Sequence, residues 1–257
     1  MRTIVLIMAL GIFAGCSTHS NSVNDQAALK HREFQVGAYL WQQTSGEYRA
    51  LTYQAYNIAK EKIERDLLDK HNKRRAVIFD IDETVLDNSA GGAREIIADG
   101  PWKESDFANW VALKEAVAIP GALEFTKFLE EKQVEIFYVS NRQKNMIDAT
   151  YDNLHALGFP VKKENIMMME EKTPSKEDRR KVIQKKYEIV LLVGDNLTDF
   201  HKGFEKTTVA ERNALTDKMS SEFGQRYIVL PNPLYGDWER ALPKAKNRTD
   251  NLRLDLK

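Results

Sequence analysis

The apolar run Ala76-Val-Ile-Phe79 stops at a carboxylate, Asp80, and a second carboxylate, Asp82, stands two residues on. Four apolar residues, half of them β-branched, behind the basic Lys73-Arg74-Arg75 fit a strand buried on both faces of a parallel sheet. In open α/β sheets, ligands bind outside the carboxyl ends of the strands. Two acids at such an edge are costly through lost hydration and mutual repulsion unless a cation lies between them. All-oxygen donors of this kind suit a hard ion such as Mg²⁺. A single Asp-x-Asp also fits a helix cap or a turn, so the reading depends on what the rest of the chain adds.

Further along, the apolar runs Val134 to Val139, Ile166 to Met169, Ile189 to Val193 and Tyr227 to Leu230 repeat the pattern, with helical periodicity between them. Each leads to polar residues: Ser140-Asn-Arg142, Glu170 to Lys176, Gly194-Asp195 to Asp199, and Pro231 to Trp238. Strands alternating with helices predict an α/β fold, a Rossmann-like doubly wound parallel sheet. Helices are expected over Ala122 to Lys132 and Asn145 to Leu157, with a basic helix running to about Tyr187.

The core is expected over 73–87 and 120–238. The stretch 88–119 has Gly91-Gly92 before a helical run from Ala93 and contains no long strand, which predicts an inserted helical cap. Residues 29–72 read as an N-terminal helical extension broken near Ser45-Gly46, a packing surface or subunit interface to which no chemistry is assigned. The tail 239–257 carries no assigned role.

At the amino terminus, Met1-Arg-Thr precedes an apolar segment and then Ala14-Gly15-Cys16. That layout predicts a signal peptide over 1–15 and a polar tether over 16–28. Cys16 is the only cysteine of the 257 residues, so no disulfide within the chain is possible. Lys plus Arg and Asp plus Glu balance at 38 each, which leaves no overall field to attract a nucleic-acid polymer.

Phe79-Asp-Ile-Asp-Glu-Thr84, Ser140, Lys176 and Gly194-Asp195 with Asp199 resemble, in order, the four motifs of the haloacid dehalogenase superfamily. The longer strings Asp80 to Ser89, Tyr138 to Arg142, Val193 to Leu197 and Leu230 to Trp238 resemble its class C acid phosphatases, the lipoprotein 5′-nucleotidases of bacterial envelopes.

The resemblance implies a Mg²⁺-dependent phosphomonoesterase with an acidic optimum. Asp80 would be the nucleophile that forms an aspartyl-phosphate, and Asp82 the acid and then the base. The metal would be held by Asp80, the Asp82 main-chain carbonyl and Asp195, with Asp199 outside them orienting metal-bound waters, or completing the site. Ser140, the Asn141 amide and Lys176 would bind the phosphoryl group, although Lys172 competes with Lys176 for that place. Arg142 fits an ion pair with a neighbouring acid as readily as a role in the site, and Glu83 and Thr84 are expected to stabilise the loop. Phe107 in the cap and Tyr235 near the carboxyl end would stack on a substrate ring.

The implied substrates are nucleoside 5′-monophosphates, with nicotinamide mononucleotide among the candidates. Cys16 would be lipidated, anchoring an exported protein in the bacterial envelope at the outer membrane, and a homodimer is expected. The alternatives are an envelope lipoprotein that mainly binds a haem-like ligand or a surface, and a phosphatase for sugar phosphates or phosphoproteins.

Overall fold

The computed structural model describes residues 32–99, 103–170, 173–246 and 248–253. The expected signal peptide, Cys16 and the tether lie outside them, as does Lys172. Among the described residues no helix is long and apolar enough to cross a membrane.

In chain order the main elements are α1 (Val36–Thr44), α2 (Gly46–Asp66), β1 (Arg74–Phe79), β2 (Leu86–Asp87), α3 (Ser89–Ile97), α4 (Glu104–Leu113), β3 (Val117–Ala118) and α5 (Ala122–Glu131). There follow β4 (Glu135–Gln143), α6 (Ile147–Ala156), β5 (Ile166–Met169), α7 (Glu177–Lys186), β6 (Tyr187–Gly194), α8 (Val209–Lys218), β7 (Tyr227–Val229) and the single turn α9 (Asp237–Arg240).

The main sheet runs β5-β4-β1-β6-β7 with every pairing parallel. The strand order reverses at β1, with β4 on one side and β6 on the other, so the crevice outside their carboxyl ends is the place for chemistry.

Apolar residues cover both faces, as a parallel sheet requires. Val77 and Phe79 of β1 face a core shared with α2 and α5, while Ala76 and Ile78 face a second core that includes Ile183 of α7. On β6, Ile189 pairs with Ala76 and Leu191 with Val77, because the register shifts by one residue between them. That irregularity puts two residues of equal parity, Ile189 and Leu191, into opposite cores.

The break expected near Ser45-Gly46 is present. Ser45 is extended, and its side chain accepts the Tyr48 amide as the cap of α2. Tyr48, Thr52, Ala55, Tyr56, Ala59 and Ile63 form the buried stripe of α2, at helical spacing. The Tyr56 hydroxyl donates to the Thr84 carbonyl at 2.7 Å, which ties this helix to the loop after β1.

The insertion is bracketed by a small antiparallel ribbon, Leu86 opposite Ala118 and Asp87 opposite Val117, which the sequence reading did not anticipate. α3 begins at Ser89, so Gly91 and Gly92 lie inside the helix rather than before it. A Cβ on Gly91 would collide with the Trp110 ring and one on Gly92 with Tyr39, so the pair lets α3 pack closely on α4 and α1. Other differences are that β4 continues through Ser140-Asn-Arg142, that Tyr187 opens β6, and that α8 fills a stretch assigned no element. The tail folds back: Arg248 bonds Glu239 at 2.8 Å and its guanidinium lies 3.8 Å from the Phe34 ring centre.

Candidate active site

Asp80 is the first residue past β1, and its amide donates to the Val193 carbonyl of β6 at 2.9 Å. Asp195 is the first residue past β6, so the strand pairing alone sets the two carboxylates side by side. Asp199 completes the group. Carboxylate oxygens of Asp80, Asp195 and Asp199 all lie within 4.8 Å of one another.

Asp199 is held in the group by its own turn. Its carboxylate accepts the Asn196 amide at 2.9 Å, which folds it back over the chain. Gly194 leaves the space, since a Cβ there would collide with the Asp199 side chain.

Lys176 reaches this group from the start of α7. Its ammonium lies 2.5 Å from Asp80 and 2.6 Å from Asp199, fully inside the protein. Asp195 accepts Thr84 Oγ1 at 3.1 Å on one oxygen and Asn232 Nδ2 at 2.7 Å on the other. Each of its oxygens therefore keeps capacity for another partner.

The charges do not balance: three carboxylates share one ammonium. Burial, with the added repulsion of Asp199 and Asp82, pushes Asp80 up to about 7 despite the pull of Lys176. Burial, Asp199 and Asp80 drive Asp195 well above the ordinary carboxylate range. Burial alone would lower the Lys176 ammonium, but Asp199 and Asp80 outweigh it and hold it high. Three hard oxygen donors that share a single ammonium fit a divalent cation.

The Asp82 carboxylate is elsewhere. Its Oδ1 accepts Arg142 Nη2 at 2.8 Å, Arg142 Nε at 3.0 Å and Asn88 Nδ2 at 2.8 Å. Arg142 thus forms an ion pair with a neighbouring acid, and that acid is Asp82. Ser140 is buried at the carboxyl end of β4, and its hydroxyl accepts the Arg142 amide at 3.0 Å. Arg179 holds this corner too, donating to the Ser140 carbonyl and to Asn141 Oδ1, both at 2.6 Å.

Glu83 is wholly buried with its backbone in the left-handed region. It accepts the Asn88 amide and the Tyr235 hydroxyl, so it clamps the loop as expected of it. Burial, Asp82 and Asp195 raise its carboxyl well above the usual range.

Among the described residues no direct ring contact joins Phe107 to Tyr235. Phe107 is half-buried with the Arg142 guanidinium 5.7 Å from its ring centre, while Tyr235 is partly exposed and engaged through its hydroxyl. Sequence reasoning gave no role to Asn88, Asn232 or Arg179. All three act through long-range contacts, and only the polar strings around them hinted at it.

A Rossmann-like sheet with an acidic cluster at its reversal point and an insertion after β1 defines a phosphohydrolase of the haloacid dehalogenase class. A family model described as HAD superfamily, subfamily IIIB (acid phosphatase) matches residues 12–238, and the chain belongs to that family.

Two solved structures of the class C acid phosphatase from Bacillus anthracis are 40% identical to it. They cover 85% of this chain and 93% of theirs, with TM-scores of 0.80 for the form with tungstate bound and 0.79 for the other. Curated plant relatives are more distant. The stem 31 kDa glycoprotein of Glycine max is 26% identical over 76% of this chain and 67% of its own. Vegetative storage protein 2 of Arabidopsis thaliana is 26% identical over 75% and 67%. The protein is a phosphomonoesterase of the class C acid phosphatase type.

Proposed function

We propose that the protein is an exported, Mg²⁺-dependent acid phosphatase that hydrolyses nucleoside 5′-monophosphates, nicotinamide mononucleotide included, through an aspartyl-phosphate. The observation that carries this reading is the cluster of Asp80, Asp195 and Asp199 around Lys176 at the sheet's reversal point.

Asp80, Asp195, Asp199 and the Asp82 main-chain carbonyl would hold the cation, which neutralises charge on the transferring phosphoryl group. Asp80 attacks phosphorus, so hydrolysis is divided into formation and breakdown of a phospho-enzyme. Asp82 gives a proton to the departing alkoxide and takes one from the water that attacks next. Lys176, the Ser140 hydroxyl and the Asn141 amide hold the phosphoryl oxygens. The Bacillus anthracis relative with tungstate, a tetrahedral oxyanion like phosphate, supports placing an anion in this family's fold.

Phe107 and the exposed face of Tyr235 are the proposed walls for a base or nicotinamide ring. Cys16 is the proposed lipid attachment point for an outer-membrane anchor, on the strength of the apolar segment and the small residues before it. A homodimer is proposed on family resemblance alone.

Phosphate release is to be measured from AMP, nicotinamide mononucleotide, a sugar phosphate and a phosphopeptide, with Mg²⁺ and with EDTA. The proposal expects Mg²⁺-dependent turnover with nucleotides preferred. Preference for the sugar phosphate or peptide would overturn the substrate assignment, and full activity in EDTA would overturn the metal.

A further inference from the structure

The Arg142 side chain is only 1% exposed, and nearly all of its donors are used within the protein. Nε and Nη2 go to Asp82, Nη2 also approaches Asn88 Oδ1 at 3.3 Å, and Nη1 donates to Thr150 Oγ1 at 2.9 Å. A guanidinium committed in this way has little left to offer a phosphoryl group. What it does is fix one carboxylate.

The grip on Asp82 is lopsided. Oδ1 receives the three donors named above, while Oδ2 has only a long contact of 3.3 Å from Arg142 Nε. A carboxylate with one oxygen saturated presents the other for proton exchange.

The insertion reaches the same grip from behind. Asn88, whose amide nitrogen bonds Asp82, accepts Trp110 Nε1 of α4 on its own oxygen at 2.9 Å. Phe107, one turn earlier on α4, lies against the Arg142 guanidinium. Trp110 is buried and backed by the close approach of Gly91, so this helix cannot shift without disturbing Asn88.

We infer that Arg142 and Asn88 are positioning residues that saturate Asp82 Oδ1 and present Oδ2 as the oxygen that exchanges the proton, and that Trp110 of the insertion holds them in place. The inference rests on Asp82 acting as acid and base in the proposed reaction. In the first step the proton on Oδ2 passes to the leaving-group oxygen as its bond to phosphorus breaks. In the second, Oδ2 takes a proton from the attacking water, so the cycle closes with Asp82 as it began.

A mispositioned acid hurts poor leaving groups most, because a p-nitrophenolate departs with little protonation while an alkoxide does not. The test compares p-nitrophenyl phosphate with glycerol phosphate, in saturating Mg²⁺, for the wild type, Arg142→Lys, Trp110→Phe and Asp82→Asn. Inhibition by inorganic phosphate reports on the phosphoryl site separately.

Arg142→Lys is expected to lose on the order of 10²-fold in kcat/KM, which reports the step in which the leaving group departs, on glycerol phosphate. Its loss on p-nitrophenyl phosphate should be at least about tenfold smaller, with inhibition by phosphate retained. Trp110→Phe, which keeps the ring and loses only the N–H, should show the same preference at smaller size, so the test survives if the lysine variant does not fold.

Equal losses on both substrates in either folded variant, or no loss, would overturn the inference. Asp82→Asn separates the two levels. If it discriminates between leaving groups and the Arg142 and Trp110 variants do not, only this inference falls. If Asp82→Asn does not discriminate, the role of Asp82 falls and the inference with it.

Discussion

Lys176 is the cation that Asp80 and Asp199 share, and its removal acts on two properties in opposite directions. Lys176→Met leaves the carboxylates without their ammonium, so the site becomes more negative and should bind Mg²⁺ more tightly. The same change removes a positive partner of the transferring phosphoryl group, which is expected to lower kcat about 10²–10³-fold. Calorimetric titration of Mg²⁺ beside phosphate-release kinetics checks both; weaker metal binding would contradict the charge argument.

The metal-free protein carries a second signature. Asp80 sits at about 7 in the folded chain against an ordinary 3.8. A carboxyl that holds its proton more tightly when folded gives stability that is fully present below about 4 and is lost as pH rises through about 7. Melting temperatures in EDTA should therefore fall by several degrees between those limits, and Mg²⁺ should reverse the fall. A flat profile in EDTA would contradict the burial of unbalanced carboxylates. At this scale the sequence was readable wherever an acid stood at a strand end, as Asp80 and Asp195 do. It was unreadable for Arg142, whose two uses differ only in how the chain folds around it.

Helix α3 shows what governs packing between elements. Glycine inside a helix is ordinarily a weakness, and alanine would be better by roughly 1 kcal/mol. At Gly92, however, a Cβ would meet the Tyr39 ring of α1. Gly92→Ala is accordingly expected to destabilise the fold by a net ~1–3 kcal/mol, as overpacked positions do. Urea unfolding monitored by circular dichroism measures it, and a gain in stability would refute the contact.

In the sequence the glycine pair reads as lying ahead of the helix, because a close helix–helix approach leaves no local mark. α8 is the opposite case. Thr208 and Glu211 form a reciprocal cap whose spacing is visible in the sequence, yet the stretch lacks a strong apolar stripe and drew no assignment. The strands were the most legible elements, since burial on both faces leaves continuous apolar runs.

For the whole molecule, the proposed arrangement is a catalytic domain held to a membrane through a lipid on Cys16, with chemistry outside the cytoplasm. In cells, Cys16→Ser should move the protein from the membrane fraction to a soluble one while phosphatase activity per molecule is kept. Fractionation followed by an activity assay reads both, and unchanged membrane association would contradict the anchor.

The sheet order that brings β1 and β6 together is what joins Asp80 to Asp195 across more than a hundred residues of sequence. The account stands on Asp80 as the group that becomes phosphorylated. Acid-quenching the enzyme during turnover and mapping the phosphoryl group by mass spectrometry tests it directly. A phosphoryl group on Asp80 during turnover, lost on chase and missing from Asp80→Asn, is the expected result. Turnover with no phospho-enzyme at any time, or with the label on another side chain, would contradict it.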